Sequence, residues 1–433
     1  MIANDSSTEF IDVRKLIEEV SVEELCRSAE QFFANRIDWD SLQAKPFAEI
    51  EESPELLICF AHVVRGLRLL PDMTLLDFGA GTCWTSHFLS QLGLKVIALD
   101  VSESALNLGR KLYRRHPMVG HRPKPQFLLF DGLTIDLPDE SVDRISCWEA
   151  LHHVSSPDRV IQEMGRVLKC GGIAGFSEPG PEHSKSEASQ SEMRTNRVIE
   201  NDINVREIWD IAKDAGFTDM KVAVFNAEPL LVALPDFESY VKGASGGEFV
   251  SSEIRRQMQE RRLFFLFKGD ATLPRDSRSR DGLRAELEVR SPLIRVAAGK
   301  RLQLTVSAKN TGDSVWLPTA EATPPWWQHG PLKRFGRQPH MGPDRIPPRV
   351  GGVRLGIQLF SETEELLDID YFRYHLTPDE GREIDPGEQV EFAIELPMPP
   401  AGKYILHCDL VSEGVGWFEH NGSMPVRLPI EVV

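Results

Sequence analysis

Several signals of secreted and membrane-bound proteins are missing from this sequence. It holds only six cysteines, scattered and without a C-x-x-C pair, which is typical of buried thiols in a reducing compartment rather than of a disulfide frame or a zinc site. No stretch approaches the roughly 18 consecutive apolar residues of a membrane span, and the N-terminal residues lack the apolar segment of a secretion signal. We therefore expect a soluble, cytoplasmic protein with no transmembrane segment.

Basic side chains are also scarce. Lys and Arg total 49 against 66 Asp and Glu, a formal net charge of −17. Because an acidic surface repels phosphate backbones, nucleic acid is not expected as a partner. By contrast, 41% of the 433 residues are hydrophobic and 27% are charged, which is ordinary for a globular protein. The length predicts two or three domains.

The first 269 residues are predicted to be helical and then mixed α/β. Residues 1–70 form a predicted N-terminal helical cap, in which Ser21 and Glu24 have the spacing of a helix capping box. In residues 71–269, short apolar runs alternate with helical patterns, such as KVIALD before SALNLGRKLYRRH and GGIAGFSEP after SPDRVIQEMGRVLKCGG. This alternation predicts parallel βαβ units in a doubly wound sheet.

The remaining residues are predicted to be a linker and an all-β domain. Residues 270–284 are polar, charge-dense and without apolar periodicity, as is typical of a linker. Residues 285–433 contain about seven short strand patterns separated by turn clusters such as DPGE and PPAGK, which predicts an antiparallel β-sandwich. Within them, residues 318–352 lack a clear period and are predicted to form a long loop.

A glycine-rich turn is the clearest functional signal. The strand TLLDF is followed by Gly79-Ala80-Gly81 and then by a helix, so the backbone can approach a ligand closely at the helix N-terminus. The next strand ends at Asp100, about 20 residues further on, where a carboxylate can accept both hydroxyls of a ribose. The third glycine of the dinucleotide fingerprint is absent, with Trp84 in its place.

These residues make the sequence resemble the class I S-adenosylmethionine (SAM)-dependent methyltransferases of the type 11 kind, over residues 69–225. Further ordered matches are L-P-D-E-S-V-D-R-I, E-A-L-H-H-V and K-C-G-G. The resemblance implies a Rossmann-like fold with SAM as the cofactor. The cofactor-binding residues that it implies are Asp77, Gly79, Ala80, Gly81, Asp100 and Val101 at the glycine loop and ribose, Asp131 and Gly132 at the adenine, and Trp148 as a pocket wall.

The residues that would bind the acceptor of the methyl group are less well defined by the sequence. The methyl group of SAM is already activated, so a base is needed only if the acceptor must lose a proton. His153 follows the fourth strand at the ligand edge of the sheet, and we expect it to act as that base while His152 points elsewhere. The rate would then rise with pH through a titration at roughly 6 to 7.5. His152, Glu178 and His183 are further catalytic candidates, and no ligand spacing identifies a metal site.

The C-terminal strands resemble the immunoglobulin-like sandwiches attached to bacterial surface-polysaccharide enzymes and exporters. The matching motifs are K-N-T-G-D-S-V-W, V-R-L-G-I-Q-L-F, D-P-G-E, P-P-A-G-K-Y-I-L and V-G-W-F. The resemblance implies a candidate glycan-binding domain, and the residues suited to stacking on sugar rings are Trp326, Trp327, Trp417 and Phe418. The alternative is that Trp316 and Trp417 are core residues, with Trp326 and Trp327 in a loop or an interface.

Three hypotheses follow. The leading one is a SAM-dependent methyltransferase that O-methylates a sugar of a surface polysaccharide or of its nucleotide- or lipid-linked precursor, with the sandwich holding the glycan or a polysaccharide-assembly protein. The second is a methyltransferase for a small lipid or quinone-like acceptor, with a purely structural sandwich. The third is a non-catalytic regulator that binds SAM or its demethylated product and a glycan. No pattern in the sequence indicates an oligomeric state.

Overall fold

The computed structural model divides the chain into two compact units, Met1–Leu273 and Pro274–Val433. The residues that the structure describes are 10–35, 40–118, 122–225, 227, 229–244, 246–291, 294–319, 349–377 and 381–433. The first unit corresponds to the predicted helical and α/β regions, and the second contains the predicted all-β region. Among the described residues, no helix combines the length and the hydropathy required to cross a membrane.

The first unit is built from alternating helices and strands. Its elements are α1 (Val13–Glu19), α2 (Val22–Ala34), α3 (Asp40–Ala44), α4 (Ser53–Gly66), β1 (Thr74–Phe78), α5 (Trp84–Gln91), β2 (Lys95–Asp100), α6 (Glu103–Arg115), β3 (Gln126–Leu129), β4 (Val142–Trp148), α7 (Pro157–Val167), β5 (Leu168–Pro179), α8 (Glu187–Asn196), α9 (Val205–Asp214), β6 (Asp219–Val222), α10 (Leu234–Val241), α11 (Gly247–Glu260) and β7 (Arg261–Lys268). Short 3-10 helices lie at Leu151–His153 and His183–Lys185.

The strands of this unit form one seven-stranded sheet in the order β3-β2-β1-β4-β5-β7-β6. The pairs from β3 to β5 are parallel, whereas β7 is antiparallel to both of its neighbours. The strand order reverses between β1 and β4, and open α/β sheets bind their ligands beyond the carboxyl ends of the strands at such a point. The predicted doubly wound fold is confirmed, and the antiparallel β7 is an element that the sequence analysis missed.

Local signals explain several element boundaries. The hydroxyl of Ser21 accepts a hydrogen bond from the N–H of Glu24, so the predicted cap does begin α2. In α4, Leu56, Cys59 and Val63 recur at helical spacing and are buried in one core cluster with sheet residues, which places the predicted helical cap within the first unit. Helix α7 ends at Val167, earlier than the pattern predicted, because β5 begins at the next residue.

The second unit is all-β. Its strands are β8 (Ala285–Arg290), β9 (Arg295–Val296), β10 (Arg301–Asn310), β11 (Val353–Ser361), β12 (Leu366–His375), β13 (Gln389–Pro397), β14 (Gly402–Ser412), β15 (Gly416–Trp417) and β16 (Val426–Val432). One sheet has the order β13-β10-β8, and the other has β12-β11-β14-β16-β9 with β15 beside β14. All pairs are antiparallel except β16 with β9.

Both sheets contribute to one hydrophobic core. Leu304 and Val306 of β10 are buried in the same cluster as Leu355 of β11 and Leu406 of β14. Trp316 is 1% exposed and meets Phe418 edge to face, so Trp316 is the core residue that the alternative interpretation expected. Phe418 is fully buried, and the expectation that it stacks on a sugar is therefore wrong.

The other residues predicted to stack on sugar rings are Trp417, Trp326 and Trp327. Trp417 is half-buried, and the guanidinium of Arg373 lies 4.4 Å from its ring centroid, so one face of the ring is already occupied. Trp326 and Trp327 lie outside the described residues, as does most of the predicted loop 318–352.

The segment 270–284 is not a free linker. Ser277 is fully buried, its N–H donates to the carbonyl of Val315, and its hydroxyl donates to the carbonyl of Gly351. Leu283 is fully buried in the core of the second unit. The boundary between the units falls at residues 273 and 274, so most of this polar segment belongs to the all-β unit. Composition was misleading here because these polar groups are satisfied by hydrogen bonds inside a fold.

Candidate functional site

The loop after β1 forms the base of the site. Gly79 and Gly81 have φ values of +67° and +52°, the left-handed region that favours glycine. A Cβ on Gly79 would lie 2.2 Å from the Cβ of Ala150, which follows β4. Glycine is therefore required for the loops after β1 and β4 to meet at the switch point. Ala80 between the two glycines is buried, and α5 begins shortly after at Trp84.

Asp77 ties the end of β1 to the first turn of α5. It is 1% exposed, and its Oδ2 accepts hydrogen bonds from the hydroxyls of Thr85 at 2.7 Å and Ser86 at 2.5 Å. Burial raises the pKa of Asp77 to about 6, although these hydroxyls oppose the shift. Its Oδ1 is buried and has no hydrogen-bond partner within the described part of the chain.

Asp100 lies at the carboxyl end of β2 and holds the glycine loop. Its Oδ2 accepts from the N–H of Gly81 at 2.8 Å, and its Oδ1 accepts from the N–H of Ser102 at 2.9 Å. The residue is 8% exposed, and burial raises its pKa in spite of these two hydrogen bonds. Each carboxylate oxygen keeps a further lone pair for a ribose hydroxyl. Val101, the next residue, is half-buried.

Asp131 and Gly132 form a turn after β3. The Oδ1 of Asp131 accepts from the N–H groups of Leu133 and Thr134, and Gly132 has a φ of +86°. A Cβ on Gly132 would lie 2.4 Å from a methyl carbon of Val22, so helix α2 packs directly on this turn. Asp131 itself remains exposed.

Helix α2 is the part of the donor side that the sequence analysis missed. The carboxylate of Glu30 accepts hydrogen bonds from the hydroxyls of Ser102 and Ser104 and from the N–H of Ser104. The Sγ of Cys26 lies 3.7 Å from the carbonyl oxygen of Asp131. These contacts join residues about 70 to 105 positions apart, so no local pattern could have revealed them.

Trp148 belongs to a buried aromatic cluster. It is 7% exposed and meets Trp84 edge to face, with a centroid distance of 5.3 Å. Phe60 from α4 packs against both rings. The indole N–H of Trp148 has no acceptor among the described residues. The ring therefore contributes to a wall behind the donor loop, supported by helices on that face of the sheet.

The acceptor candidates come together in what we call the histidine cluster, formed by His152, His153, Glu178, His183 and Glu200. Glu178 is fully buried at the end of β5 and accepts from the N–H groups of Ala150 and Leu151 and from Nδ1 of His152 at 2.8 Å. Four members of this cluster are the catalytic candidates predicted from the sequence, and the fifth is Glu200. Glu200 stood among many acidic residues of one polar segment, without a spacing that distinguished it.

The remaining contacts of the cluster centre on Glu200. Its Oε2 lies 2.7 Å from Nε2 of His183 and 3.8 Å from Nε2 of His152, and its Oε1 lies 3.7 Å from Nδ1 of His153. The rings of His152 and His153 have centroids 3.9 Å apart. The two rings lie side by side on the 3-10 turn but have different partners, since His152 contacts Glu178 and His153 contacts the carbonyl of Ile199.

Burial and charge give the two adjacent histidines opposite pKa shifts. Burial alone would lower the pKa of His152, but its hydrogen bond to Glu178 and the charges of Glu178 and Glu200 raise it above its ordinary value. For His153, burial and the neighbouring charge of His152 lower the pKa to about 4, although 41% of its side chain stays accessible. His153 is consequently a neutral proton acceptor at pH 7, and the predicted titration near neutral pH does not belong to it.

A cavity of about 450 Å³ opens beside Arg261, the first residue of β7. Its lining includes apolar side chains such as Phe225 and Phe249 together with the guanidinium group of Arg261. Arg261 donates to Glu149, the residue after β4, at 2.9 Å and to Glu55 at 2.6 Å. The cavity therefore offers both apolar and charged surface near the carboxyl ends of the central strands.

The donor side of the site is similar to known methyltransferases. Residues 76–176 match the family model "Methyltransferase domain". A demethylmenaquinone methyltransferase of Renibacterium salmoninarum is 32% identical over 120 residues, 27% of this chain and 47% of that protein. A ubiquinone biosynthesis O-methyltransferase of Nitrosomonas europaea is 30% identical over 141 residues, 32% of this chain and 56% of that protein.

A solved structure of phosphoethanolamine N-methyltransferase 2 of Haemonchus contortus with SAM is 14% identical, with a TM-score of 0.37 over 60% of each chain. The match of residues 76–176 to a methyltransferase-domain model supports SAM as the cofactor of this region. The chain spans about half the length of these two curated relatives, and the family match ends before Glu178 and the later members of the histidine cluster.

Proposed function

We propose that this protein is a SAM-dependent methyltransferase that methylates a sugar hydroxyl of a surface polysaccharide or of its lipid-linked precursor. One observation carries the proposal. The histidine cluster begins at His152, two residues after the Ala150 that touches Gly79 of the donor loop. Proton-accepting side chains are thus adjacent to the loop that would hold the methyl donor.

The residues of the donor side fit SAM. A side chain at position 79 would clash with Ala150, so the donor loop requires glycine there. The carboxylate of Asp100 has lone pairs free for two ribose hydroxyls. Asp77 presents a buried acceptor with no partner in the described residues. When bound, SAM supplies a methyl group on a sulfonium centre, which needs positioning rather than further activation.

The acceptor side fits a hydroxyl. A sugar hydroxyl is a poor nucleophile, so a base that takes its proton accelerates methyl transfer by about 10²- to 10⁴-fold. His153 is the base in this proposal. Its Nδ1 donates to the carbonyl of Ile199 at 2.8 Å, which leaves Nε2 as the basic nitrogen of the neutral ring. The proton of the acceptor hydroxyl would pass to this Nε2.

The lining of the cavity beside Arg261 favours an amphiphilic acceptor. Phe225 and Phe249 provide apolar surface, while Arg261, Arg256 and Glu55 provide charge. A lipid-linked sugar carries both kinds of group. The second unit would hold the glycan or an assembly protein, a role that rests on its resemblance to polysaccharide-associated domains and on Trp417.

A quinone-like acceptor is the second candidate, and the relatives favour it. Two of them are a demethylmenaquinone methyltransferase and a ubiquinone biosynthesis O-methyltransferase. An aromatic ring could use the apolar wall of the cavity. The buried carboxylates of the histidine cluster argue for the more polar acceptor.

The test is turnover of the full-length chain with isotope-labelled SAM, read by mass spectrometry. One panel contains nucleotide- and lipid-linked sugars, and the other contains demethylated quinones. We expect a methylated sugar, a large loss of turnover in His153→Ala with SAM affinity retained, and no change in His420→Ala, which alters an exposed histidine of the second unit. Methylation of quinones alone would support the second candidate. Tight SAM binding without turnover on either panel would indicate a regulator.

A further inference from the structure

Three side chains of the histidine cluster are arranged as metal ligands are. One donor atom each from His152, His153 and Glu200 lies within 4.8 Å of the other two. The Nε2 of His152 is 3.8 Å from Oε2 of Glu200. Ligands bound to a tetrahedral ion at about 2.0–2.2 Å lie roughly 3.4 Å apart, so small side-chain rotations would complete the site. We propose that these three residues bind a divalent transition metal ion of the zinc class.

Each of the three ligands is held by a partner outside the triad. Glu178 accepts from Nδ1 of His152, which leaves Nε2 to bind an ion. The carbonyl of Ile199 accepts from Nδ1 of His153, which leaves Nε2 of His153 to bind an ion. Glu200 is held by His183, whose Nε2 lies 2.7 Å from a carboxylate oxygen of Glu200. Metal-binding histidines characteristically donate their other ring N–H to a carboxylate or a backbone carbonyl, which fixes the tautomer and the ring orientation.

The charge of the cluster also favours a cation. Glu178 is fully buried and Glu200 is 7% exposed. In the residues that the structure describes, neither carboxylate forms an ion pair with a lysine or an arginine, and histidines are their only basic partners. Two buried carboxylates without a permanent positive charge are costly to hold, and a divalent ion would compensate them.

The donor set and its exposure indicate which ion binds and how. Two imidazoles and one carboxylate are the ligands of catalytic zinc sites and also bind other divalent transition ions such as Fe²⁺, whereas magnesium and calcium prefer oxygen alone. His152 is 5% exposed, but 41% of the His153 side chain is accessible, so the cluster is open to small ligands on that side. Three protein ligands leave a fourth position free. That this position takes the acceptor hydroxyl rests on the proposed function, whereas metal binding does not. With an ion bound, Nε2 of His153 is a ligand, so the role of His153 as the base applies to the metal-free protein.

The test is metal binding by the full-length chain. Protein dialysed against a chelator is titrated with Zn²⁺ by calorimetry and with Co²⁺ by visible absorption, and the bound zinc is counted after gel filtration. We expect one ion per chain and a higher melting temperature with zinc than without it, because a ligand that binds the folded state stabilises it.

Variants separate ligands from positioning residues. His152→Ala and Glu200→Gln should lose at least about 100-fold in zinc affinity, and His183→Ala, which removes only a supporting contact, should lose about 10- to 100-fold. His420→Ala should bind as the unaltered protein does. Wild-type protein that retains only a small fraction of an ion per chain and shows no thermal shift would overturn the proposal, and so would equal affinity in the three cluster variants.

The measurements on the unaltered chain decide the question even if a variant fails to fold. A SAM titration on the same sample separates the two proposals. Zinc binding without SAM binding would remove the proposed function and keep the metal site. SAM turnover by protein that binds no zinc would remove the metal site and keep the proposed function.

Discussion

Replacement of Asp100 should affect both the donor and the fold, and the structure gives the size of each effect. In Asp100→Ala the ribose loses at least one hydrogen bond to a charged acceptor, about 1.5–3 kcal/mol, which corresponds to a roughly 10- to 150-fold weaker SAM affinity. The N–H groups of Gly81 and Ser102 lose their acceptor at the same time. Each unpaired buried donor costs about 1–3 kcal/mol, and water entering the pocket should keep the total loss of unfolding free energy near the lower end.

Asp100→Asn is the matched variant, because it keeps the shape and one acceptor oxygen. Its amide group can accept from one of the two backbone N–H groups but not from both, so its losses should be intermediate. Calorimetric SAM titration and urea unfolding measure the two effects separately. SAM affinity in folded Asp100→Ala within about threefold of wild type would remove this residue from the site, since one lost charged hydrogen bond already predicts tenfold. Heat from NAD in the same titration would contradict the assignment of the cofactor.

Four further outcomes can be measured. The pKa of Asp77 is raised to about 6, so the stability that its protonated form contributes is present below pH 4 and is lost as the pH rises through 6. The unfolding free energy of Asp77→Asn should therefore exceed that of wild type by about 3 kcal/mol at pH 7 but not at pH 4. Because the pKa of His153 is about 4, turnover that depends on it should fall only as the pH drops towards 4, and a rise centred near pH 7 that disappears in His153→Ala would contradict this. Trp316→Ala should destabilise the second unit by about 3–5 kcal/mol in urea unfolding, and a cost below about 1 kcal/mol would mean that Trp316 is not a core residue. Trypsin should cut first at Arg275, whose side chain is 73% exposed beside the unit boundary, and mass spectrometry should find two stable fragments; early cuts throughout the first unit would refute this boundary.

The sequence determined the secondary structure and the donor loop to a large extent. Apolar residues alternate in β10 and recur at helical spacing in α4, because one face of each element is buried. Both patterns can be recognised within a few residues of sequence. Gly79 and Gly81 were also identifiable, since a left-handed backbone between a strand and a helix is a local steric requirement that glycine meets without strain. The cap at Ser21 is local in the same sense.

Tertiary structure alone decided the acceptor side. Glu200 joins His152 and His153 across almost 50 residues of chain, and only the packing of β4, β5 and the following segment brings them together. The contact of helix α2 with the loops after β2 and β3 is equally remote in sequence. Tertiary contacts of this kind depend on the packing of many distant elements together, and no short stretch of sequence predicts any one of them.

The same reason explains the errors of interpretation. The segment 270–284 has the composition of a linker, yet Ser277 and Leu283 are fully buried because the all-β unit supplies hydrogen-bond partners for Ser277 and core contacts for Leu283. Phe418 was predicted to be available for stacking on a sugar, but it packs edge to face on Trp316 in the core. Composition and periodicity report what a residue prefers, whereas burial depends on which distant surface covers it, and that is a property of the whole fold.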